Sequence, residues 1–193
     1  LKLLVKTLQD LEDWVALNEL LPTLRKATKI PDEELRKLER NVALQLLDRA
    51  RHANGGQGLT STFDGLGRDV RYTSDVMKSY IDLLLETEQE EKAEEALREG
   101  LKHVWHDELV EIYGRLKGKD ANKQLLFAEQ QLKERPNDPL LLLTLGRLAL
   151  RVNDLEKARE YLQTGLSIKG LAELHAEMGK VMLAEGDETL ACE

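Results

Sequence analysis

The chain has 193 residues, a formal net charge of -8 and a hydrophobic fraction of 41%, but its aromatic fraction is only 4%. Its apolar residues are mostly Leu and Ala, which favours closely packed helices over β-sheets, and its acidity argues against nucleic acid as a partner. A single cysteine, Cys192, excludes an internal disulfide, and no run of about 18 apolar residues is present to span a membrane.

The sequence of the first part of the chain, 1–73, predicts irregular TPR-like helices. Pro22 falls inside the second of them, in DWVALNELLPTLRKA, where proline lacks the amide donor of a regular helix and is expected to kink it. A long helix of about 31–53 follows, with three acidic residues in its first turn that suit the positive end of the helix dipole. Gly65 and Gly67 then interrupt a weaker helix.

The second part, 74–193, contains an internal repeat. Gly146 and Gly179 lie 33 residues apart, and EKAEEALREGLKH is matched 65 residues later by EKAREYLQTGLSI. A period of about 33 to 34 residues with small residues at fixed points is typical of tetratricopeptide (TPR) repeats, each an antiparallel helix pair. We therefore predict an all-α, TPR-type α-solenoid with repeats of about 74–106, 107–138, 139–171 and a truncated 172–193.

The best repeat begins at Pro139. Gly146 in its first helix and Ala158 in its second are predicted to be small because the two helices approach closely there. Asp154 stands directly before the second helix and is a predicted N-cap. Trp105, at an earlier repeat boundary, is predicted to fill the space between repeats.

The order of these segments resembles the HemY-type TPR proteins of proteobacterial inner membranes. The resemblance covers DWVALNELLPTLRKA, LERNVALQLLDRA, EKAEEALREGL and PLLLLTLGRLALRVNDLEKAREYLQTGLS, nearly the whole chain. It implies a TPR domain that follows hydrophobic membrane helices, faces the cytoplasm and is linked to the late steps of haem biosynthesis. It also implies that this chain, which begins within a helical pattern, is part of a longer protein with its membrane segments elsewhere.

Six first-helix positions are predicted to line the concave wall of the repeats and to contact a partner: Leu140, Leu143, Arg147, Leu150, Arg151 and Lys180. The arginines and the lysine form a basic track that suits carboxylates, because guanidinium groups bind carboxylates with two hydrogen bonds. The leucines make the same wall partly apolar, which suits an amphipathic helix or a flat macrocycle. The alternative interpretation of the basic residues is a solvated helix face.

Two histidines, His103 and His106, are the alternative candidate site. On one helix, residues three apart share a face, so both imidazoles could approach a haem iron. No further ligands complete a metal set by spacing, and we expect no metal and no resident cofactor unless haem is bound here.

The sequence as a whole predicts a protein–protein interaction scaffold that organises haem-biosynthesis enzymes at the inner membrane. We predict no enzyme activity, because no paired nucleophile and base and no phosphate-binding loop are present. The alternative function is a module that binds or carries haem or porphyrin itself. A third expectation is self-association through apolar surface left bare by the truncated last repeat.

Overall fold

A computed structural model of the chain describes residues 1–27, 30–52 and 57–186. These residues form α-helices joined by short turns, with no strand among them. The chain divides into two compact units, Leu1–Gln89 and Glu90–Glu193, which we call unit 1 and unit 2. Cys192 lies outside the described residues.

Unit 1 is arranged around one long helix. The helices of its described part are α1 Lys2–Asp10, α2 Trp14–Lys26, α3 Asp32–Arg51, α4 Gln57–Gly65, α5 Arg68–Arg71 and α6 Ser74–Glu86. Helix α3 packs against α2, α4, α5 and α6, whereas α1 packs against α2. The first turn of α3 carries three acidic side chains and its last turn carries two arginines, which is the favourable orientation for the helix dipole.

The core of unit 1 begins where α2 meets α3. Trp14, Leu17 and Leu24 project from one face of α2 at helical spacing and join Val42 of α3 in a single buried cluster. Helix α2 continues through Pro22. The packing of this apolar face thus holds the helix together across a residue that cannot donate a backbone hydrogen bond.

Unit 2 is arranged around α10. The helices of its described part are α7 Glu90–His103, α8 Asp107–Arg115, α9 Ala121–Gln131, α10 Pro139–Arg151, α11 Leu155–Ile168 and α12 Ala172–Ala184. Helix α10 packs against α8, α9, α11 and α12. Its sequence, PLLLLTLGRLALR, is apolar on nearly every side, as a central helix must be.

Helices α10 and α11 form an antiparallel pair joined by a tight turn. Asn153 in this turn has a φ of 60°, in the left-handed region. Asp154 caps α11, accepting a hydrogen bond from the amide of Lys157 at 3.1 Å, so its predicted role is confirmed. Gly146 lies under the side chain of Leu162, and Ala158 is fully buried. The residue that occupies the space beside Gly146 is thus Leu162, one helical turn beyond Ala158.

Several predicted boundaries shift in the structure. The long helix predicted at about 31–53 is Asp32–Arg51, and the break predicted at Gly65 and Gly67 separates α4 from α5.

The division between the two parts of the chain also moves, from 73/74 to 89/90. Helix α6 groups with the N-terminal helices because it packs against α3 and α4. Tyr80 of α6 stacks on Phe63 of α4, with ring centroids 3.9 Å apart and planes at 7°. Aromatic contact of this kind joins α6 to unit 1.

Candidate interaction surface

A groove crosses the side of unit 2 on which α8, α10 and α12 lie together. Its volume is about 500 Å³, and we call it the unit 2 groove. Besides Gly114, it is lined by Arg115 of α8, by Arg147, Leu150 and Arg151 of α10, and by Glu177 and Lys180 of α12. These helices are the first helices of three successive predicted repeats, so the groove lies on the side where the sequence predicts a binding wall.

Arg147 and Glu177 form a largely buried ion pair in this groove. The Nε atom of Arg147 donates to Oε1 of Glu177 at 3.0 Å, and the two side chains are 11% and 10% exposed. Lys180 approaches the same carboxylate from the next turn of α12, with Nζ 2.9 Å from Oε2. The Nη1 atom of Arg147 is buried without a hydrogen-bond partner. One carboxylate therefore serves two cations, and donor capacity remains on Arg147.

Arg151 is bound to the end of α8. Its Nη1 atom donates to the carbonyl of Leu116 at 2.6 Å and to Oε1 of Gln124 at 3.2 Å, and its Nη2 atom donates to the carbonyl of Gly114 at 3.2 Å. The last carbonyls of a helix have no amide partner within that helix, and Arg151 helps to satisfy them. The carbonyl of Leu116 also accepts from Nε2 of Gln124 at 3.3 Å. Burial lowers the pKa of Arg151, yet an arginine side chain keeps its charge.

The predicted leucines of the wall separate into three situations. Leu150 lines the unit 2 groove and is half-buried. Leu140, the second residue of α10, is half-buried outside the groove lining. The prediction that Leu143 lines the surface is wrong, because its side chain is only 1% exposed and belongs to the core. In an isolated helix pair, Leu143 would face outward. Here α10 is packed against four helices, so the side chain of Leu143 is buried.

The two candidate haem-binding histidines lie on different elements. His103 is the last residue of α7, whereas His106 has extended backbone and stands directly before α8. His103 Nε2 lies 3.1 Å from Oε1 of Glu99, and the His103 side chain is 29% exposed, whereas His106 is an exposed residue. The prediction that they could share one helix face is wrong, since the chain turns between them. Among the described residues, no group of three or more His, Cys, Asp or Glu is placed to hold a metal.

Trp105, between these histidines, joins two repeats of unit 2. Its Nε1 atom donates to Oδ2 of Asp138 at 2.9 Å, and the guanidinium of Arg135 lies 4.2 Å from its ring centre. Asp138 also caps α10 by accepting from the amides of Leu140 and Leu141. Trp105 thus fixes the start of α8 against the start of α10, in agreement with its predicted position between repeats.

Glu177 and Gln124 were not among the predicted site residues, although both shape the groove. Each is a polar residue buried on a helix, at 7% and 1% exposure. The only sequence signal for Glu177 is its position three residues before Lys180, within reach on the same helix face. Gln124 gives no such signal, because its partners, Arg151 and the carbonyl of Leu116, lie outside its own helix.

Unit 1 carries a cavity of similar size between α2, α3 and α5, of about 520 Å³. Arg25 and Glu39 are hydrogen-bonded to each other in its lining. Nε of Arg25 donates to Oε1 of Glu39 at 3.1 Å, and Nη2 donates to Oε2 at 3.0 Å. The lining balances three cations, Arg25, Arg36 and Arg40, against three carboxylates, Asp32, Glu39 and Asp69. This cavity therefore has no charge excess to select a ligand, unlike the unit 2 groove.

Comparison with known proteins supports the resemblance seen in the sequence. The chain is 27% identical to Protein HemY of Escherichia coli K12 over 145 residues, 75% of this chain and 36% of that protein. The same values hold for Protein HemY of Shigella flexneri. The chain thus spans about a third of the length of the curated relatives it matches. No protein-family model matches it.

Solved structures confirm the fold. MamA from Desulfovibrio magneticus RS-1, residues 41 to the end, superposes with a TM-score of 0.54 at 18% identity, covering 81% of this chain and 89% of MamA. A double mutant of RS-1 MamA gives 0.53, also at 18% identity, covering 81% and 88%. The all-α, TPR-type fold is therefore confirmed. No helix in the described part of the chain is both long and apolar enough to cross a membrane.

Proposed function

We propose that this chain is a protein–protein interaction scaffold that holds enzymes of haem biosynthesis at the bacterial inner membrane. The observation that carries the proposal is the similarity to Protein HemY over 75% of the chain, together with a TPR-type fold. Helix repeats of this kind present extended surfaces on which other proteins bind. The proposed contact surface is the unit 2 groove, with the exposed Lys180 and the half-buried Leu150 at its edges and the largely buried Arg147 between them.

The proposal assigns no catalysis to the chain itself. In the unit 2 groove, the charged groups are arginines, a lysine and one carboxylate that is already shared by two of them. The acceptor positions of this carboxylate are already occupied by Arg147 and Lys180, and arginine stays protonated in proteins. The groove is therefore better suited to holding a charged group than to transforming one.

The membrane location belongs to the longer protein. In this proposal, membrane segments outside this chain anchor it in the inner membrane, and the helical portion described here faces the cytoplasm. An anchored scaffold raises the local concentration of the enzymes bound to it, which favours transfer of a poorly soluble intermediate between them.

Direct binding to purified enzymes tests the proposal. The 193-residue chain would be immobilised, and enzymes of the late steps of haem biosynthesis would be passed over it in biolayer interferometry. We expect at least one to bind with a dissociation constant in the range of about 1 to 100 μM, typical of transient interfaces. If none binds more tightly than serum albumin does, the scaffold proposal fails.

A further inference from the structure

The unit 2 groove is a local centre of positive charge on an acidic chain. Its lining contains four cationic side chains and one carboxylate, whereas the whole chain carries a net charge of -8. Arg115 is also paired with Glu111, at the outer edge of the groove. Even with that pair set aside, three cations face the single carboxylate of Glu177, so the groove keeps an excess of positive charge.

The positive charge is held in place by the fold. Arg151 donates its hydrogen bonds to neutral carbonyl and amide oxygens, which leave its charge uncompensated. Arg147 is fixed by its bond from Nε to Glu177, and its side chain is only 11% exposed. Side chains that are already ordered lose little conformational entropy when a ligand binds, so these two arginines form a prepared electrostatic site.

Two cations of the groove are well exposed, Arg115 and Lys180, and Arg115 is already paired with Glu111. The Lys180 side chain is 63% exposed, although its Nζ atom lies near both oxygens of Glu177. An incoming anion can reach Lys180 without moving any buried side chain, because the ammonium group is hydrated and its four-carbon stem is flexible. Arg147 and Lys180 together have more donors than Glu177 has acceptor positions, so a second carboxylate adds hydrogen bonds that the groove lacks.

From these observations we propose that the unit 2 groove binds an acidic peptide segment of a partner protein, with a partner carboxylate held between Lys180 and Arg147. The inference rests on the proposed scaffold function and names the chemistry of its partner. A volume of about 500 Å³ accommodates a few residues of peptide. Long polyanions such as nucleic acids are disfavoured, because the acidic remainder of the chain repels any part that extends beyond the groove.

Fluorescence anisotropy with a matched pair of peptides tests this inference. The first probe is a short, fluorescein-labelled peptide of alternating Glu and Ala with blocked ends, and the second replaces each Glu with Gln. We expect the 193-residue chain to bind the Glu peptide at low salt at least about ten-fold more tightly than the Gln peptide. Binding of the Glu peptide should weaken as salt is added.

Charge-reversal variants locate the binding. Lys180→Glu should weaken the Glu peptide by about ten-fold or more, whereas Lys133→Glu, the same charge change on exposed chain outside the groove, should change it by less than about two-fold. The paired variant Arg147→Gln with Glu177→Gln removes one cation and one carboxylate, so it leaves the charge excess of the groove unchanged. We still expect it to weaken binding, because it removes the hydrogen bonds that Arg147 would donate to the partner carboxylate. Circular dichroism would verify that each variant is folded.

Distinct results would overturn the inference. Equal binding of the Glu and Gln peptides, absence of binding to either, or equal losses from Lys180→Glu and Lys133→Glu would each exclude a carboxylate site in the groove. Tighter binding of a labelled single-stranded oligonucleotide than of the Glu peptide would assign the positive charge to nucleic acid instead. If the enzymes of the previous section still bind Lys180→Glu at full strength, the scaffold function stands and only the groove assignment fails.

Discussion

Leu162 of α11 fills the space that a side chain on Gly146 of α10 would need. A Cβ atom built on Gly146 would lie 2.6 Å from Cγ of Leu162, well inside van der Waals contact. The branch point of Leu162 is fully buried and has little room to move. The absence of a side chain at Gly146 therefore sets how closely the two helices of this repeat can pack.

We expect Gly146→Ala to lower the free energy of unfolding by about 1 to 2 kcal/mol. A clash this close places the cost of overpacking at about 2 to 3 kcal/mol, and the better helix propensity of alanine offsets about 1 kcal/mol of it. Urea denaturation followed by circular dichroism measures the change. Gly170→Ala is the control in the same unit, because the nearest atom to its Cβ would be Nε2 of His175 at 4.0 Å. Equal stabilities of the two variants would contradict close packing of α10 on α11.

Arg151 should be irreplaceable by lysine. Its guanidinium reaches the carbonyls of Leu116 and Gly114 and the amide oxygen of Gln124 at once, and a single ammonium group cannot reproduce that fork. We expect both Arg151→Lys and Arg151→Ala to destabilise the fold by about 2 kcal/mol, because buried acceptors lose their donors. Lys123→Ala, on an exposed turn of α9, is the control and should have little effect.

Urea denaturation of these variants separates two roles for Arg151. If Arg151→Lys were as stable as the parent chain, charge alone would explain this residue and the fork of hydrogen bonds would be unimportant. If both variants are destabilised, the residue is primarily a support for the end of α8. In that case its contribution to the unit 2 groove is the fixed charge that it carries there.

The repeat pattern was predictable because it depends on local sequence. Spacing of small residues, such as Gly146 and Ala158, and capping residues, such as Asp154, act within one helix pair. In the α10–α11 pair, Asp154 therefore caps the second helix and Gly146 lies at a close approach, as the local pattern predicted. The grouping of α6 with unit 1 was not predictable, because it depends on stacking between Tyr80 and Phe63.

The side chains of the groove were predictable in part, because the sequence shows their positions on the helices but not their partners. Arg147, Arg151 and Lys180 occur at first-helix positions, and the structure brings all three to one groove. Their partners come from other helices, and a sequence does not show that Glu177 holds Arg147. Burial of Leu143 likewise results from the number of helices around α10. Whether a cation is available to a ligand depends on such long-range contacts.

The ion pair between Arg25 and Glu39 should be energetically asymmetric. The Glu39 side chain is 5% exposed, whereas that of Arg25 is 51% exposed. Arg25→Met leaves a buried carboxylate without its partner, and we expect a loss of about 2 to 3 kcal/mol. Glu39→Met leaves an arginine that water can solvate, and we expect a loss of about 1 kcal/mol or less. The hydrogen bonds that Arg25 donates to Glu39, together with the negative charge of Glu39, raise the pKa of Arg25.

Thermal or urea denaturation of the two variants measures this asymmetry. Lys37→Met is a suitable control, because Lys37 pairs with Glu33 on the surface of α3 and is 63% exposed. It should change the free energy of unfolding by less than about 0.5 kcal/mol. Equal losses from Arg25→Met and Glu39→Met would show that burial of the carboxylate does not determine the energetics of the pair.

Tyr113 should limit stability at alkaline pH. Burial, and then the negative charge of Glu94, raise the pKa of Tyr113 well above its ordinary value in the folded chain. A raised folded-state pKa means that the protonated phenol stabilises the fold. That contribution is complete below the unfolded-state pKa of about 10 and is lost as the pH rises above it. The free energy of unfolding should therefore fall above about pH 10.

Tyr113→Phe tests this pH dependence, because it removes the ionisable group and keeps the ring that packs on Phe127. At neutral pH we expect the variant to be less stable by about 1 kcal/mol, since the hydroxyl no longer donates to Oε1 of Glu94, 3.3 Å away. Above about pH 10 the difference in stability should shrink and then reverse. Only the parent chain has a phenol at this position that ionises on unfolding, and that ionisation favours the unfolded state at high pH. Urea denaturation at a series of pH values from 7 to about 11 measures both effects. Parallel curves for the two proteins would show that Tyr113 does not ionise on unfolding in this range.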